Sequence, residues 1–499
     1  MIRRRLASLV FVASVVGCAE PEVVYPEPRE PLPDPQMPAD AQANARLVHE
    51  TVPFELEGSQ ETMSCYSWTV GNDAPLYVQA VEFQNGGSFH HSNWFVVPED
   101  VYPGDDGFWP CHHRGFDDIS AALAGTALFA QSTQALQETM RFTDGATIRI
   151  PARSKIVAGV HLLNLGPDPR ATEAWMSLEV IHPALVETTL SPVLLSNLDL
   201  QIPANSKATF YSFCGSASLP EKPAFDLHYI LPHYHRTGDA ARVTLFDSDG
   251  EVEVFEHLGF GASSMGRTFD PPVSIESLSG IEFSCAYDNP HDEPLTWGIG
   301  INEMCVFLAF ADTDVVIVAG VDRGSSSGPF EVDDGTYVSD GLCRAFMTPR
   351  SLAYAMPTRE EIAGPLRLPA SDASAPEPPT CEDALVEAVE PAPSFSDVQE
   401  RVFSPWCSFS SCHGASGAGG LSFEGPQAEA SLVGVGATAV DMPRVAPGDP
   451  EGSYLYRLLS ECTPEVGGAP RRHMPAGAPT LLDPELVALV RGWIEGLPP

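Results

Sequence analysis

Residues 299–321, IGINEMCVFLAFADTDVVIVAGV, contain two runs rich in β-branched and aromatic side chains. Residues 299–310 and 315–321 are separated by a short segment with two aspartates, a residue type that favours turns. Runs of this kind between turn residues predict β-strands. Similar runs occur upstream at residues 78–83, 208–213 and 242–246, and turn pairs such as Asp249-Gly250 lie between them.

Strand signals fill the region between two proline-rich segments, and only residues 119–140 interrupt them with helical periodicity. A β region of this length suits two sandwiches better than one, so we predict domains at 51–185 and 186–362. A Pro/Ala-rich linker follows at 363–394. Beyond it, residues 395–499 have apolar side chains at helical spacing, and Asp483-Pro484 is placed to begin the last helix. The predicted fold class is mainly β, with a small all-α domain at the end.

The composition excludes several classes of function. The 499 residues include 67 acidic and 27 basic side chains, for a formal net charge of −40. Such a chain repels phosphate backbones, which argues against nucleic-acid binding. A hydrophobic content of 43% is too high for wholesale disorder. The 11 cysteines and 14 histidines indicate disulfides together with metal or haem sites in an exported chain.

The first residues predict export. Three arginines precede the apolar residues 6–16, which are too few to span a bilayer, so residues 1–18 are predicted to be a signal peptide. The sequence VVGC ending at Cys18 resembles a bacterial lipobox, whose cysteine is lipidated; the alternative is an ordinary secretory signal with a chance cysteine. Residues 19–50 would form a Pro-rich tether. We expect an exported lipoprotein of the outer membrane, periplasm or cell surface, held to the membrane by lipid only.

Five histidines are candidate metal ligands. Adjacent residues of a regular strand face opposite sides, so His90 and His91 can share a metal only at a bend or strand end; otherwise they are surface residues. His161 lies in an apolar strand, where a lone histidine is more often a hydrogen-bonded core residue. His233 and His235 project from one face of a strand and can chelate a metal directly.

The order of five segments carries a resemblance. FHHSN, AGVHLLN, LPHYHRTGD, FSCAYDN and INEMC begin at Phe89, Ala158, Leu231, Phe283 and Ile301. Together they resemble the copper type II, ascorbate-dependent monooxygenases, the family of peptidylglycine α-hydroxylating and dopamine β-monooxygenases. The resemblance covers residues 52–350 and implies two tandem jelly-roll-like β-sandwiches, each holding one of two copper ions.

The resemblance also implies the role of each ligand. A site that stores an electron would consist of His90, His91 and His161. The catalytic site, which would bind dioxygen and attack a C–H bond of a small substrate, would consist of His233, His235 and Met304. Imidazole suits both copper oxidation states and a thioether favours Cu(I), which agrees with these roles. Taken alone, Met304 would be a core methionine.

Further expectations follow from the same resemblance. It implies disulfides between Cys65 and Cys111 and between Cys285 and Cys305, and more loosely between Cys214 and Cys343. Electrons would come from ascorbate or a periplasmic donor.

The chain also departs from the family pattern. Leu231 occupies a position where peptide-amidating members have an arginine, which argues against a peptidyl-glycine substrate. A second histidine pair, His112 and His113, falls outside the motif, and we predict that it lies on the surface. His228 is predicted to be structural.

A second redox motif lies in the C-terminal part. Cys407, Cys412 and His413 form a C-x4-C-H-G sequence, longer than the usual C-x2-C-H haem attachment. The alternative is a disulfide between the two cysteines beside a bystander histidine. Downstream, His473-Met474-Pro475 and the last helix resemble the ligand loop of class I cytochromes c. The resemblance implies one haem c on both cysteines, with His413 as proximal and Met474 as distal ligand; His473 is the alternative distal ligand.

These observations predict an exported copper-dependent monooxygenase with a fused haem domain as electron donor. The linker would raise the effective concentration of that domain to roughly millimolar. Cys381 and Cys462 remain, and a disulfide between them would staple the C-terminal domain. One alternative is a non-catalytic copper-binding or copper/haem electron-transfer lipoprotein. Another is a β-sandwich adhesion module that binds neither copper nor haem.

Overall fold

The computed structural model describes residues 36–498, except for 133, 216–221, 248–249, 260–263, 299–301, 334, 350–353, 372, 410–411, 415–416, 418–419 and 439. The predicted signal peptide, Cys18 and the first part of the predicted tether lie outside the described residues. Strands predominate, so the fold is mainly β as predicted. No helix among the described residues combines the length and apolar character needed to cross a membrane.

The first half of the chain forms two antiparallel-rich sheets with short strands at their margins. Its strands are β1 (Asn44–Glu50), β2 (Glu55–Leu56), β3 (Glu61–Thr69), β4 (Leu76–Asn85), β5 (Phe89–Pro98), β6 (Gly107–Trp109), β7 (Thr126–Ala130), β8 (Gln137–Arg141), β9 (Ala146–Ile150), β10 (Ser154–Leu163), β11 (Arg170–Ala171), β12 (Ala174–Ile181) and β13 (Thr188–Thr189). One sheet has the order β1-β12-β4-β9-β13 with β8 beside β4, and the other has β6-β3-β10-β5-β7. Buried side chains of both sheets belong to one apolar core, as expected of a sandwich.

The helix expected over residues 119–140 is mostly absent. The α1 helix (Asp118–Ala124) has seven residues, and the rest of the segment contains β7 and β8. The helix ends at Gly125, where a Cβ would lie 1.8 Å from the carbonyl oxygen of Val96 in β5. Close backbone approach to the sheet therefore overrides the local helical pattern.

The second half has thirteen strands among the described residues; eleven form one continuous arrangement, and β15 pairs separately with β22. Its strands are β14 (Ser191–Asn197), β15 (Gln201–Ile202), β16 (Ser206–Gly215), β17 (Phe225–His233), β18 (Gly238–Asp247), β19 (Gly250–Leu258), β20 (Arg267–Ile275), β21 (Gly280–Asn289), β22 (Leu295–Thr296), β23 (Val306–Asp312), β24 (Val315–Val321), β25 (Phe330–Asp333) and β26 (Thr336–Pro349). The order is β19-β18-β21-β16-β26-β24-β14-β23-β17-β20, with β25 beside β26. The first half of β26 pairs with β16 and its second half with β24, so this strand joins two sheets of a sandwich- or barrel-like unit.

The C-terminal part contains short helices joined by longer segments without regular secondary structure, so the structure does not show the predicted all-α domain. After α2 (Arg359–Ala363), it contains α3 (Phe395–Val398), α4 (Ser404–Trp406), α5 (Tyr454–Ser460) and α6 (Pro484–Gly496). A π-helical turn, Gln399–Phe403, joins α3 to α4, and β27 (Glu465–Val466) pairs with β28 (Ala469–Pro470). Asp483 caps α6 through the backbone N–H of Glu485, as predicted. These elements enclose an apolar core of their own.

Four disulfides join the expected cysteines. The pairs are Cys65–Cys111, Cys214–Cys343, Cys285–Cys305 and Cys381–Cys462. The prediction of disulfide bonds is therefore confirmed. Disulfides persist in oxidising compartments, so these bonds indicate folding outside the cytosol.

The linker that follows α2 lies along the first sandwich. Three of its groups pair with that sandwich: the Gly364 carbonyl with Nε2 of His182 at 2.9 Å, the Ser371 hydroxyl with the Val48 carbonyl, and the Pro376 carbonyl with Nε2 of Gln84 at 2.9 Å. The segment is thus anchored to the first sandwich at several points.

Candidate metal centre

A β-bulge places His90 and His91 together. In the pairing of β5 with β10, His91 lies opposite His161 while Phe89 lies opposite Leu162, so His90 is the extra residue. A bulge lets two consecutive side chains point to one side of a strand. The condition that two adjacent histidines need in order to share a metal is therefore met by the backbone.

The three imidazoles form a compact group. Their candidate ligand atoms lie within 4.8 Å of one another. The ring centroids of His90 and His161 are 4.8 Å apart, and those of His91 and His161 are 5.0 Å apart. His91 and His161 are only 8% and 5% exposed. The structure thus brings together all three residues predicted for the electron-storing site.

Hydrogen bonding leaves one nitrogen of each ring available. The Nδ1 atoms of His90, His91 and His161 are buried without a hydrogen-bond partner among the described residues. Nε2 of His161 lies 3.0 Å from a carboxylate oxygen of Glu61 in β3. The carboxylate accepts a hydrogen bond from the Nε2–H group, which leaves the lone pair on Nδ1, an arrangement common behind metal-bound histidines.

The second pair of histidines is held by a buried carboxylate. His233 ends β17, and His235 follows it with a ring-centroid distance of 5.3 Å. Glu303 is 1% exposed and accepts hydrogen bonds of 2.7 Å from the backbone N–H groups of His235 and Thr237. Nδ1 of His235 donates to the Asn302 carbonyl at 2.7 Å, so its buried Nε2, unpaired among the described residues, carries the lone pair.

Met304 lies on the segment that holds His235. Its neighbours Asn302 and Glu303 make the contacts to that histidine, and Cys305 is bonded to Cys285. The Met304 carbonyl accepts a 2.8 Å hydrogen bond from the Tyr287 hydroxyl. Met304 therefore directly follows the two residues that hold His235 in the chain; among the described residues its sulfur makes no hydrogen bond to either imidazole.

Burial favours the neutral form of His90, His91 and His233. The pKa values of His90 and His91 are lowered well below the ordinary value by burial and by the neighbouring imidazoles. Burial, with His235 and His161 nearby, lowers the pKa of His233 to about 3. Neutral imidazole is the form that binds a metal, so the site is prepared for that role at neutral pH.

The two predicted ligand sets are adjacent. The rings of His91 and His233 have centroids 5.1 Å apart, and those of His91 and His235 are 6.3 Å apart. His91 therefore lies between the histidines of both halves. The sequence indicated two sites and no distance between them.

The C-terminal motif contacts this cluster. The guanidinium of Arg236, directly after His235, donates to the Cys412 carbonyl at 2.7 Å. The Gln134 side-chain amide lies 3.9 Å from the Cys412 sulfur, and its backbone N–H donates to the His90 carbonyl at 2.6 Å. Arg472 donates to the Gln134 carbonyl at 2.9 Å. The C-terminal unit thus contacts Arg236, which follows His235, and Gln134, which is hydrogen-bonded to His90.

The C-x4-C-H residues retain the groups that haem attachment needs. Cys407 and Cys412 are both thiols, so the alternative disulfide does not form in the structure. Burial raises the pKa of the Cys407 thiol. Nδ1 of His413 donates to the Leu421 carbonyl at 3.1 Å, which places the lone pair on Nε2. Two thiols and an oriented imidazole fit covalent haem.

Both candidates for the distal position lie near the C-terminal core. Met474 is half-buried and packs against that core. His473 is 7% exposed, and its Nδ1 is buried and unpaired among the described residues.

The second histidine pair, His112 and His113, lies exposed on a 3₁₀ turn, Cys111–His113, as predicted. His228 pairs through Nδ1 with the Thr143 hydroxyl at 2.9 Å, in agreement with a structural role.

Four supporting residues were not anticipated. Arg236 and Glu303 adjoin predicted ligands, and their charge beside a histidine or methionine was a usable signal. Glu61 and Gln134 meet their partners only through strand pairing and a loop contact. No local pattern marks them.

Comparison with known proteins identifies no family for this chain and only distant structural neighbours. No family model matches the chain, and no curated protein matches it. A solved structure from Parabacteroides distasonis ATCC 8503, of a protein thought to be secreted, shares 10% identity over 56% of this chain and 91% of that one, with a TM-score of 0.17. Sulfolobus turreted icosahedral virus (11% identity, 54% of this chain, 59% of that one) has a TM-score of 0.17. The VP2 subviral particle of infectious bursal disease virus shares 9% identity over 56% of this chain and 75% of that one, with a TM-score of 0.15. TM-scores this low carry no inference about this chain.

Proposed function

We propose that this chain is an exported copper-dependent monooxygenase that hydroxylates a C–H bond of a small substrate with dioxygen. The observation that carries the proposal is the group of three buried, unpaired Nδ1 atoms on His90, His91 and His161. Buried polar atoms are normally hydrogen-bonded, so three unpaired nitrogens in one place support metal binding. Imidazoles, with a thioether on a neighbouring segment, are a donor set that suits copper.

The stoichiometry requires two electrons. The reaction RH + O₂ + 2 e⁻ + 2 H⁺ → ROH + H₂O places one oxygen atom in the substrate and the other in water. When bound, two copper ions would supply these electrons, each passing from Cu(I) to Cu(II). Six candidate ligands in the order of the copper type II monooxygenases support this proposal over simple copper storage, in which Met304 would have no evident use.

The protein groups have separate tasks in this proposal. Glu61 holds the proton on Nε2 of His161, and the Asn302 carbonyl holds the proton on Nδ1 of His235. These contacts orient the rings before a metal arrives, which lowers the cost of binding. Burial lowers the pKa values of His90 and His91, which favours their unprotonated form.

The C-terminal unit is proposed as a cytochrome c-like electron donor. When bound to Cys407 and Cys412, a haem would supply single electrons. The contacts of Cys412 with Arg236 and Gln134 support this role because they place the attachment motif beside the histidines. An external donor, such as ascorbate or a periplasmic protein, would reload the system. We also propose lipidation at Cys18, which mass spectrometry of the mature N-terminus would detect.

Metal analysis tests the cofactors. The chain should be expressed in the periplasm, purified, and assayed for copper and, by a haem-staining gel, for covalent haem. We expect two coppers and one haem per chain. Protein with neither cofactor would contradict the proposal and favour an adhesion module.

Replacement of the thioether tests catalysis. Met304→Ile should abolish hydroxylation and leave the haem spectrum unchanged, because the thioether supports the reduced copper that meets dioxygen. Met356→Ile, at a 45% exposed methionine, is the matched control and should keep full activity. Retained activity in Met304→Ile would disprove its assignment.

A non-catalytic electron-transfer protein is the second candidate. It is favoured by the contacts of Cys412 with Arg236 and Gln134, since proximity of the haem motif to the histidines is sufficient for that function. Copper that cycles with the haem but yields no hydroxylated product across a panel of small C–H substrates would support this candidate.

A further inference from the structure

The outward side of β26 is open and largely apolar. Side chains of a strand alternate between its two faces, and in β26 the odd-numbered ones point inward: Ser339 and Cys343 are 2% and 1% exposed. Leu342 and Phe346 point outward and are 63% and 64% exposed. The outward side chains of this strand are Thr336, Val338, Asp340, Leu342, Arg344, Phe346 and Thr348.

Neighbouring strands extend this row into a broader apolar patch. Phe213 of β16 is paired with Leu342 and is 51% exposed. Phe330 of β25 is paired with Val338 and is 54% exposed. Large contiguous apolar surface on a protein commonly marks a binding site for a partner. We call these two phenylalanines and the seven outward residues of β26 the β26 face.

The outward row of β26 is self-complementary about Leu342. Two residues away in either direction are opposite charges, Asp340 and Arg344. Four residues away are two apolar side chains, Val338 and Phe346, and six residues away are two threonines. A two-fold interface between identical chains requires this property, because residue i of one copy contacts residue j of the other and residue j contacts residue i.

We propose that the β26 face binds the β26 face of a second copy of this chain, about a two-fold axis at Leu342. Leu342 then packs on Leu342 of the other copy, and each Asp340 lies opposite the other copy's Arg344. The charged residues are about 7 Å from the axis along the strand, so the crossing angle of about 30° between packed sheets leaves them within reach of each other. This association is independent of the proposed copper chemistry.

Arg344 can join such an interface although it has a neighbour in its own chain. Its Nη1 lies 3.6 Å from a carboxylate oxygen of Asp322, and the two side chains are 62% and 64% exposed. An exposed ion pair of this kind contributes little to stability, and a guanidinium has five N–H donors. Donors therefore remain for the Asp340 carboxylate of the second copy.

Size and charge set the expected affinity. The β26 face is about 45 Å long and three strands, or about 14 Å, wide, which gives roughly 600 Å² per copy. This area is at the lower end of specific interfaces, so we expect a dissociation constant in the micromolar range. The chain has a formal net charge of −40, but the outward row of β26 contains one acid and one base, so the row itself has no net charge to repel its copy.

Sedimentation equilibrium of the full chain tests the proposal. Cys18→Ala removes the proposed lipidation site, so that acyl chains do not drive association. We expect a monomer–dimer equilibrium in the micromolar range. Leu342→Glu should weaken dimerisation at least about 100-fold, because it places two carboxylates against each other at the axis. Leu123→Glu, at a 64% exposed leucine of α1, is the matched control and should dimerise like the parent chain.

Charge reversal tests the two-fold register. Asp340→Arg and Arg344→Asp each place like charges opposite one another and should weaken dimerisation about 100-fold. Both changes in one chain should restore the dimer, and so should an equimolar mixture of the two single variants, because opposite charges then face each other again. Failure of both restorations would overturn the two-fold arrangement.

Other occupants of the β26 face give different results. A chain that stays monomeric throughout the concentration series would overturn the proposal. Binding of that monomer to phosphatidylcholine vesicles, lost in Leu342→Glu, would assign the face to a lipid surface instead. Circular dichroism verifies that each variant keeps the fold.

Discussion

Glu61 shows how one residue outside the ligand set can determine metal affinity. Its carboxylate lies 3.0 Å from Nε2 of His161 and directs the lone pair of that ring to Nδ1. Glu61→Ala should lower copper affinity about 10- to 100-fold, the usual effect of removing such a partner. Competition titration with a copper chelator measures this change.

Glu57→Ala is the matched control for Glu61. Glu57 is exposed and lies four residues earlier in the chain. It should leave copper affinity unchanged. Equal affinity in both variants would show that Glu61 has no part in orienting His161.

Ligand residues were easier to predict than the residues that support them. The histidines and Met304 occur in short motifs whose spacing carries chemical meaning, and the structure brings all five histidines together. Glu61 is 100 residues from His161 in the chain, and only the pairing of β3 with β10 makes them neighbours. Such a contact depends on strand register, which no local pattern specifies.

At the scale of elements, the strands lie where residue composition predicted them, whereas the helix predicted over residues 119–140 is limited to α1. Residues 315–321 coincide with β24, and residues 78–83 and 208–213 fall within β4 and β16. Residues 119–140 had helical periodicity, but two parts of this segment form β7 and β8, which pair with β5 and β4. Pairing with a neighbouring strand outweighs a weak periodic signal because tertiary contacts contribute more than propensity.

The β1 strand contains a histidine, His49, whose pKa is lowered by burial. His49 stacks on Trp68 of β3 at a centroid distance of 4.0 Å, and its Nε2 lies 2.8 Å from the Tyr66 hydroxyl. Burial lowers the pKa of His49 to about 4. The folded protein therefore keeps this ring neutral where the unfolded chain would protonate it.

The lowered pKa of His49 predicts that the stability of the fold decreases in acid. A lowered histidine pKa means that the unfolded state binds the proton more readily, so stability falls as pH drops from 6.5 toward 4. Between pH 7 and pH 5 we expect His49 to cost about 1 to 2 kcal/mol of unfolding free energy. Thermal unfolding of wild type and His49→Gln at both pH values measures the difference. The wild type should lose more stability than the variant; parallel losses would contradict the role of His49.

At the scale of the whole molecule, the chain folds back on itself. The linker after α2 is anchored to the first sandwich at Gly364, Ser371 and Pro376. This course brings the C-terminal unit to the histidine cluster of the β-rich halves. Composition indicated only a Pro/Ala-rich linker at 363–394, because proline-rich sequence does not reveal whether its carbonyls will find hydrogen-bond partners.

A direct contact makes electron transfer depend on docking. Arg236 directly follows the predicted copper ligand His235, and its guanidinium donates one hydrogen bond of 2.7 Å to the Cys412 carbonyl. A hydrogen bond to a charged group contributes about 1.5 to 3 kcal/mol, so its loss would substantially weaken this contact. Copper reduction by the haem should then become about ten-fold slower in Arg236→Gln.

Stopped-flow absorbance with pre-reduced haem and Cu(II)-loaded protein measures this rate. Arg153→Gln, at an arginine that pairs only with Glu99 near the surface among the described residues, is the control and should transfer electrons at the wild-type rate. Copper content and the Cu(II) resonance spectrum of Arg236→Gln must match wild type, so that a slower rate reports docking and not a lost ligand. If the rate in Arg236→Gln stays at the wild-type value, electron transfer from the haem to copper does not depend on the contact between Arg236 and Cys412. Transfer that slows only when Gln134 is also replaced would assign the route to the Gln134–His90 contact instead.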